Sequence, residues 1–469
     1  VNNIPETKIN TIYIPNFSLV SVNNAETDAM FDGTVMSVSA VSKGDRNVSV
    51  DKKFTPYSSD YKDEGYMYAF VSNSDFSAGV WSNSEANDNK RVMRYSQVSN
   101  LDGVAFSYIG LGSNEWTYHQ NDMPAPQTTM PSMKAVIVEG DQNEDGKVTW
   151  QDGAIAYRDI MNNPYKSEEV PDLVAQRIVE NFASQAAHPF LETLDGIKRV
   201  NLATDGLGQQ ILLKGYASEG HDSAHPDYGD IGTRIGGAED MVYLLDKAEA
   251  YGAKIGVHIN ADEAYPEADA FNELLINKNS YGWNWVDESY SMDKTYDLAS
   301  GARAERLDDL YYQLGGEDNK LDFIYLDVWG AQSWPTRRVA QQFNERGWRC
   351  ANEWGGANEY DCTWNHWAVD VGYGNAGNTA INSDMARFLR NHQKDSWISN
   401  WTFGGASDHP LLGGAQLDGF EGWQREQNFT QYIQNLFNVN LPTKFLQHYL
   451  ITYWENDPTL DETKTNTEK

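Results

Sequence analysis

Cysteine is almost missing from this sequence: only Cys350 and Cys362 occur in 469 residues. Two thiols exclude a disulfide framework as the source of stability. Free buried thiols are the favoured reading, with a bond between the two as the alternative. Positive charge is also scarce. Lys and Arg number 36 against 68 Asp and Glu, a net charge of −32. Such a chain is repelled by nucleic acid and anionic membranes, so neither is expected as a partner. No apolar run reaches the 18 residues that suggest a membrane span. No signal peptide precedes Val1, so the chain reads as a mature or excised segment. The acid excess suits an extracellular protein, secreted or attached to a bacterial surface. No motif calls for an organic cofactor.

Aromatic residues are plentiful instead, with 15 Trp and 26 Tyr. Flat ring faces pack on the C–H face of a sugar while their rims hydrogen-bond. The competing reading of any one Trp is ordinary core.

The chain is long enough for two or three domains. Residues 1–135 carry strand signals and almost no helix. TIYIPNFSLVSV, GTVMSVSAVS, GYMYAFVSN and GVAFSYIGLG alternate with Asn, Ser, Asp and Gly, and predict a β-sandwich. Residues 136–172 form a connector that contains DQNEDGKVTWQD. Asp141, Asn143 and Asp145 stand at loop positions 1, 3 and 5, and Gly146 at position 6. Lys147 could offer its carbonyl at position 7, and Asp152 closes the loop at position 12. That spacing predicts a structural Ca²⁺ site, with Asp in place of the usual last Glu. The alternative is an acidic turn before a helix.

Residues 173–440 alternate strand and helix signals, which predicts a (β/α)₈ TIM-type barrel. VAQRIVENFASQ reads as helix. RVNLATD, ILLKGYA, KIGVHIN, FIYLDVW, WRCANEW, WAVDVGY, WISNWTF and GFEGWQ read as successive strands. Residues 441–469 form a C-terminal segment, polar after Trp454, expected to open a further domain.

The most informative stretch is Leu321–Glu359. Two short apolar runs each end near one carboxylate, Asp327 and Glu353, with a helical segment between them. In a parallel barrel such strand ends share the functional face. Two carboxylates there are what glycosidic bond cleavage uses. The bland alternative is a pair of helix caps or salt-bridge partners.

Other polar groups fall at the same expected face. Asp222 and His225 lie in GYASEGHDSAHPDYGD after the second strand, where hydroxyl recognition is favoured over a metal. His258 ends the third strand, with Asn260 and Glu263 beyond it; a core histidine is the rival reading for His258. Trp283 and Trp285, two apart in GWNWV, would face one way in an extended segment. They form a sugar platform or simply anchor the loop. Gln424 and Glu421 lie at the presumed last strand.

Taken in order, HDSAHPDYGD, GVHINADEAYPEA, GWNWVDE, FIYLDVW, ANEWGG and DGFEGWQ resemble glycoside hydrolase family 101, the endo-α-N-acetylgalactosaminidases. The ordered set carries the resemblance; no single motif does. The calcium-like loop with WQDGAIAYRDI and the segment YAFVSNSDFSAGVWSNSE are also similar, so the resemblance runs from about Tyr68 to Gln427. It implies a secreted bacterial enzyme acting on mucin-type O-glycans. Such an enzyme releases Galβ1-3GalNAc whole from Ser or Thr, with retention of configuration. It implies Asp327 as nucleophile and Glu353 as acid/base. Asp222 and His225 would contact sugar, Trp283 and Trp285 would cover the disaccharide, and Gln424 would add a contact. An exo-acting α-N-acetylgalactosaminidase or α-galactosidase, and a non-catalytic glycan-binding module, are the alternatives.

Overall fold

Alternating apolar and polar residues in the N-terminal part build two antiparallel sheets. One has the strand order Met133–Glu139, Phe76–Ser82, Tyr68–Ser72, Met30–Thr34, Asp45–Ser49. The other runs Val20–Asn23, Val104–Ser113, Val92–Leu101, Glu64–Tyr66. Val22, Ile109 and Leu111 of the second meet Phe31, Val71 and Val80 of the first in one buried cluster. That is the packing of a sandwich. The structure, a computed structural model, describes residues 9–15, 17–35, 44–56, 64–86, 90–118, 130–182, 185–284, 287–329, 334–354, 358–366, 381, 383–396, 417, 419–421 and 428–455.

Beyond the sandwich lies a parallel sheet. Its described strands are β1 (Leu173–Glu180), β2 (Gly208–Lys214), β3 (Ala253–Asn260), β4 (Phe323–Asp327), β5 (Arg349–Asn352) and β6 (Cys362–Asn365), in chain order across the sheet. Helices α1 (Phe190–Thr204), α2 (Gly237–Glu249), α3 (Ala302–Gln313) and α4 (Trp334–Asn344) connect them. In α2 the buried residues are Met241, Leu244, Leu245 and Ala248, one face of a 3.6-residue period. They pack on Ile211, Val257 and Ile324 from the outer face of the sheet.

The inner face holds Ile178, Leu212, Phe323, Tyr325, Ala351 and Trp364 in a single cluster. Residues of the first and the sixth strand share that cluster, so the sheet curls. A lone parallel bridge, Trp364 to Asp395, carries it one step past β6. Gln176 of β1 donates to Asp395 Oδ2 at 2.6 Å, which ties the two ends of the sheet together. The described residues therefore form a curled, half-barrel sheet. The full eight-stranded barrel expected from the sequence is not seen among them. The candidate strands WAVDVGY and WISNWTF lie outside the described residues, and of GFEGWQ only Gly419–Glu421 are described.

Two expected elements exchange type. VAQRIVE is strand β1, not helix, and RVNLATD is the end of helix α1, not a strand. In β1 every residue from Leu173 to Val179 is buried, so no alternation marks it as a strand. Its polar residues find partners inside: Arg177 donates to Glu421 at 2.7 Å and to Gln209 at 2.8 Å. In α1 the buried Phe190, Leu194, Ile197 and Val200 keep helical spacing through the Val- and Thr-containing end.

The sandwich and the parallel sheet are joined by a polar contact in an aromatic setting. Tyr68 donates to Glu359 at 3.0 Å and accepts from Arg390 at 2.7 Å. Lys394 pairs with Glu359 at 2.7 Å, both side chains fully buried. Cys350 and Cys362 are register partners on β5 and β6, and both are free, buried thiols.

Candidate active site

Asp327 is the last residue of β4, and Glu353 follows the last residue of β5. Leu326 pairs with Asn352, so the two acids stand side by side one step beyond. They are 7% and 5% exposed. The backbone after Asp327 turns sharply: Val328 has φ of 44°. A β-branched residue in that region is strained by about 1–3 kcal/mol. The turn directs the Val328 N–H onto Glu353 Oε2 at 3.0 Å, while the Glu353 N–H donates to the Leu326 carbonyl at 3.0 Å. The Glu353 carboxyl is thus tied to the backbone that directly follows Asp327.

Around Asp327 the register gathers a polar layer. Glu180 pairs with Lys214, His258 with Tyr325, and Asn260 with Asp327. His258 Nε2 lies 3.2 Å from Asp327 Oδ2. Burial pushes the Asp327 carboxyl up, but His258, Lys214 and His221 outweigh it and hold the group well below the usual carboxylate range. Burial pushes His258 down, so a neutral imidazole faces an ionised acid. His221 and His225 are depressed by burial too, His225 to about 3. The His221 and His258 rings meet edge to face, with centroids 4.8 Å apart, and His225 lies 6.0 Å from His258.

The loop after β2 brings Asp222 and His225 to this layer. It contains left-handed backbone at Ser218, Asp222 and Ala224. Asp222 Oδ1 is 3.2 Å from His221 Nε2. Burial, with help from the Asp327 charge, pushes Asp222 up to about 7. Glu180 rises to about 7 for the same reasons, against the pull of Lys214. Glu263 also rises to about 7 through burial, against the hydrogen bond it accepts from the Trp283 backbone. One ionised acid therefore sits among carboxyl groups that exchange protons near neutrality and imidazoles that do not.

Those raised values set a pH dependence. Between about pH 4 and 7 the folded chain keeps protons on Glu180 and Asp222 that the unfolded chain has released. Their contribution to stability is therefore full at low pH and is lost as pH rises through 7. The Glu180→Gln, Asp222→Asn double variant should lose less stability than the wild type between pH 5 and 8. The expected gap is at least about 1.4 kcal/mol, the linkage value of one proton over one pH unit. Urea unfolding at both pH values measures it, and parallel pH profiles would overturn the assignment.

After β3 the chain builds a small antiparallel sheet of Glu263–Ala264, Tyr290–Met292 and Ile276–Tyr281. Trp283 follows its last-named strand, with its side chain largely exposed. Trp285 and Gln424 lie outside the described residues. The Asp141–Asp152 loop is a compact turn far along the chain from this face. Gly146 has φ of 90°, Asp141 accepts from the Gly146 N–H at 2.6 Å, and Asp145 accepts from the Lys147 N–H at 2.9 Å. Asn143 donates to the Thr452 carbonyl at 3.1 Å. Asp152 accepts from the Gln142 and Thr149 N–H groups at 2.6 and 2.7 Å, and completes a capping box with the N-cap Thr149 of the helix Trp150–Tyr157. Among the described residues, no three His, Cys, Asp or Glu side chains are drawn together as a metal cluster.

Sequence reasoning passed over Glu180 and Lys214, and named Asn260 and Glu263 without assigning them roles. Lys214 ends the apolar run ILL, as Asp327 ends FIYL, and that is the available signal; Glu180 ends LVAQRIVE, where Gln176 and Arg177 break the run. VAQRIVENFASQ reads as helix, which hides Glu180.

The comparisons bear on this geometry. A family model described as endo-alpha-N-acetylgalactosaminidase matches residues 151–433, and one described as a galactose mutarotase-like fold domain matches residues 1–150. A putative endo-alpha-N-acetylgalactosaminidase of Renibacterium salmoninarum is 35% identical, over 97% of this chain and 30% of that protein. The chain therefore spans under a third of that relative's length. Among solved structures, a quadruple mutant of the alpha-N-acetylgalactosaminidase NagBb from Bifidobacterium bifidum has a TM-score of 0.50. It is 13% identical and covers 95% of this chain and 78% of that one. A variant of the GH36 alpha-galactosidase AgaA from Geobacillus stearothermophilus, in complex with stachyose, also scores 0.50. It is 10% identical and covers 92% and 63%. At such identities these two show likeness of fold alone. The first family model spans more than half of the residues, including both strand-end acids, and the chain belongs to glycoside hydrolase family 101, the endo-alpha-N-acetylgalactosaminidases.

Proposed function

We propose that this chain carries the catalytic region of a retaining endo-α-N-acetylgalactosaminidase. Its substrate is the Galβ1-3GalNAc disaccharide α-linked to Ser or Thr of mucin-type glycoproteins, outside the cell. The observation that carries this reading is the pair Asp327 and Glu353, on neighbouring parallel strand ends and joined through Val328. Neighbouring strands lie about 4.8 Å apart, which suits the roughly 5–5.5 Å carboxyl separation of double displacement better than the wider gap of inversion.

Asp327, ionised, attacks the anomeric carbon of GalNAc and expels the Ser or Thr oxygen, which takes a proton from Glu353. Glu353 then removes a proton from water, which attacks the glycosyl-enzyme ester and frees Asp327. In this reading Asp222, His225 and His258 contact the sugar, Trp283 and Trp285 are the rings that cover the disaccharide, and Gln424 adds a contact. The link between Gln176 and Asp395 supports closure of the half-barrel into an eight-stranded barrel.

Hydrolysis of para-nitrophenyl α-linked Galβ1-3GalNAc, beside para-nitrophenyl α-GalNAc, tests the reading. Intact disaccharide is the expected product. Release from the monosaccharide alone would make this an exo-enzyme, and binding without turnover would make it a glycan-binding module.

Calcium belongs to the same proposal. Asp141, Asn143, Asp145, the Lys147 carbonyl and Asp152 offer the oxygen donors a hard cation needs, and the Gly146 turn suits the loop. Bound Ca²⁺ would hold the connector closed against the C-terminal segment. Ca²⁺ at a hundred times its Kd should stabilise the fold by about 2.7 kcal/mol over chelated protein. An unchanged Tm after chelation and Ca²⁺ addition would reject the site.

A further inference from the structure

The loop that carries Trp283 is held by one carboxylate. Glu263 Oε1 accepts the Trp283 backbone N–H. Its Oε2 accepts from Asn260 Nδ2 at 2.8 Å and from the Tyr265 hydroxyl at 3.2 Å. Asn260 is the register partner of Asp327. Its own Oδ1 accepts the N–H groups of Asp262 and Glu263, each at 2.9 Å. Hydrogen bonds therefore run without a break from the strand end beside Asp327 to the backbone of Trp283.

The backbone lies close against this carboxylate. A Cβ on Gly282 would come within 2.7 Å of Glu263 Oε1 and 2.4 Å of Ser289 Oγ. The loop is also clipped at its base. Gly282 donates to the Ser289 carbonyl at 3.0 Å, and the Ser289 N–H donates to Asn284 Oδ1 at 2.8 Å. The indole itself is 63% exposed, so its place is set through this backbone.

Three donors converge on Glu263: a backbone N–H, an amide NH₂ and a phenol. A carboxylate, with two acceptor oxygens and no hydrogen of its own, suits all three. A Gln there would turn one oxygen into an NH₂ and set it against a donor.

We infer that Glu263 is a positioning residue for glycan recognition: it locks the Trp283 loop to the strand end beside Asp327, so that the indole stands ready over the bound sugar. The inference rests on the proposed reading of Trp283 as a sugar-contacting ring. Glu263 touches no reacting atom and acts through the Trp283 backbone.

Two measurements test it. The first needs no substrate. Hydrogen exchange at the Trp283 amide should quicken by about tenfold or more in Glu263→Gln and Glu263→Ala, while β3 and β4 keep their protection. An unchanged rate at Trp283 overturns the lock. The second is a double-mutant cycle on KM for the α-linked aryl disaccharide. Glu263→Gln and Trp283→Ala should each raise KM by about tenfold, more than either lowers kcat. The double variant should match Trp283→Ala within about twofold, because the lock has nothing left to position. Additive losses would mean that Glu263 acts by another route, and would overturn the inference. A wild-type protein that cleaves neither aryl substrate defeats the functional reading alone, since the exchange rates still decide whether Glu263 holds the loop.

Discussion

Asp327→Asn is expected to lower kcat on the α-linked disaccharide by about 10⁴-fold or more, equivalent to about 5.5 kcal/mol of barrier. Affinity for the released disaccharide should change far less. An amide is no nucleophile towards the anomeric carbon, so the covalent step is lost. The surroundings should survive, because an Asn oxygen can still face His258 Nε2, which lies 3.2 Å from Asp327 now. The substitution also removes the charge that helps push Asp222, Glu180 and Glu263 up, so those carboxyl groups should ionise at lower pH. Steady-state kinetics and calorimetric titration with the disaccharide separate turnover from binding. Near-wild-type turnover would remove Asp327 from the nucleophile role.

Glu353→Gln should cost about 10²–10⁴-fold on a Ser- or Thr-linked glycopeptide. A serine alkoxide is a poor leaving group and needs its proton. Para-nitrophenolate does not, so the first chemical step on the aryl glycoside should be much less affected. The variant keeps the local geometry, since a Gln oxygen can still accept the Val328 N–H that Glu353 accepts at 3.0 Å. Pre-steady-state bursts on the aryl substrate, with glycopeptide hydrolysis beside them, show the difference. Equal losses on both leaving groups would argue that Glu353 shapes the site without transferring a proton.

Much of this arrangement was legible in the sequence. FIYLDVW and WRCANEW each carry one acid near the end, and parallel strands send their ends to one face. That reasoning placed Asp327 and Glu353 together, and the structure pairs their strands. The loop after β2 was placed by the same logic. The misreadings were local. β1 is buried along nearly its whole length and carries Gln176 and Arg177, so neither alternation nor composition marked it as a strand. The Val- and Thr-containing end of α1 looked like a strand because intrinsic propensity is weak beside the burial of Phe190, Leu194 and Ile197.

By itself the sequence determined that Asp327 and Glu353 end two successive strands, the family their motifs mark, and the acidic, aromatic character of the chain. Those follow from local order: period, composition and the spacing of short motifs. Only the tertiary structure decided how those ends meet. Folding brings His258 of the third strand, Lys214 of the second and His221 of the loop after it to Asp327 of the fourth, and together they keep that carboxyl ionised. The left-handed turn at Val328 and the three donors gathered on Glu263 are likewise matters of register and burial. Residues far apart in the chain act on one another only once folding has removed the water between them, and no local pattern encodes that distance.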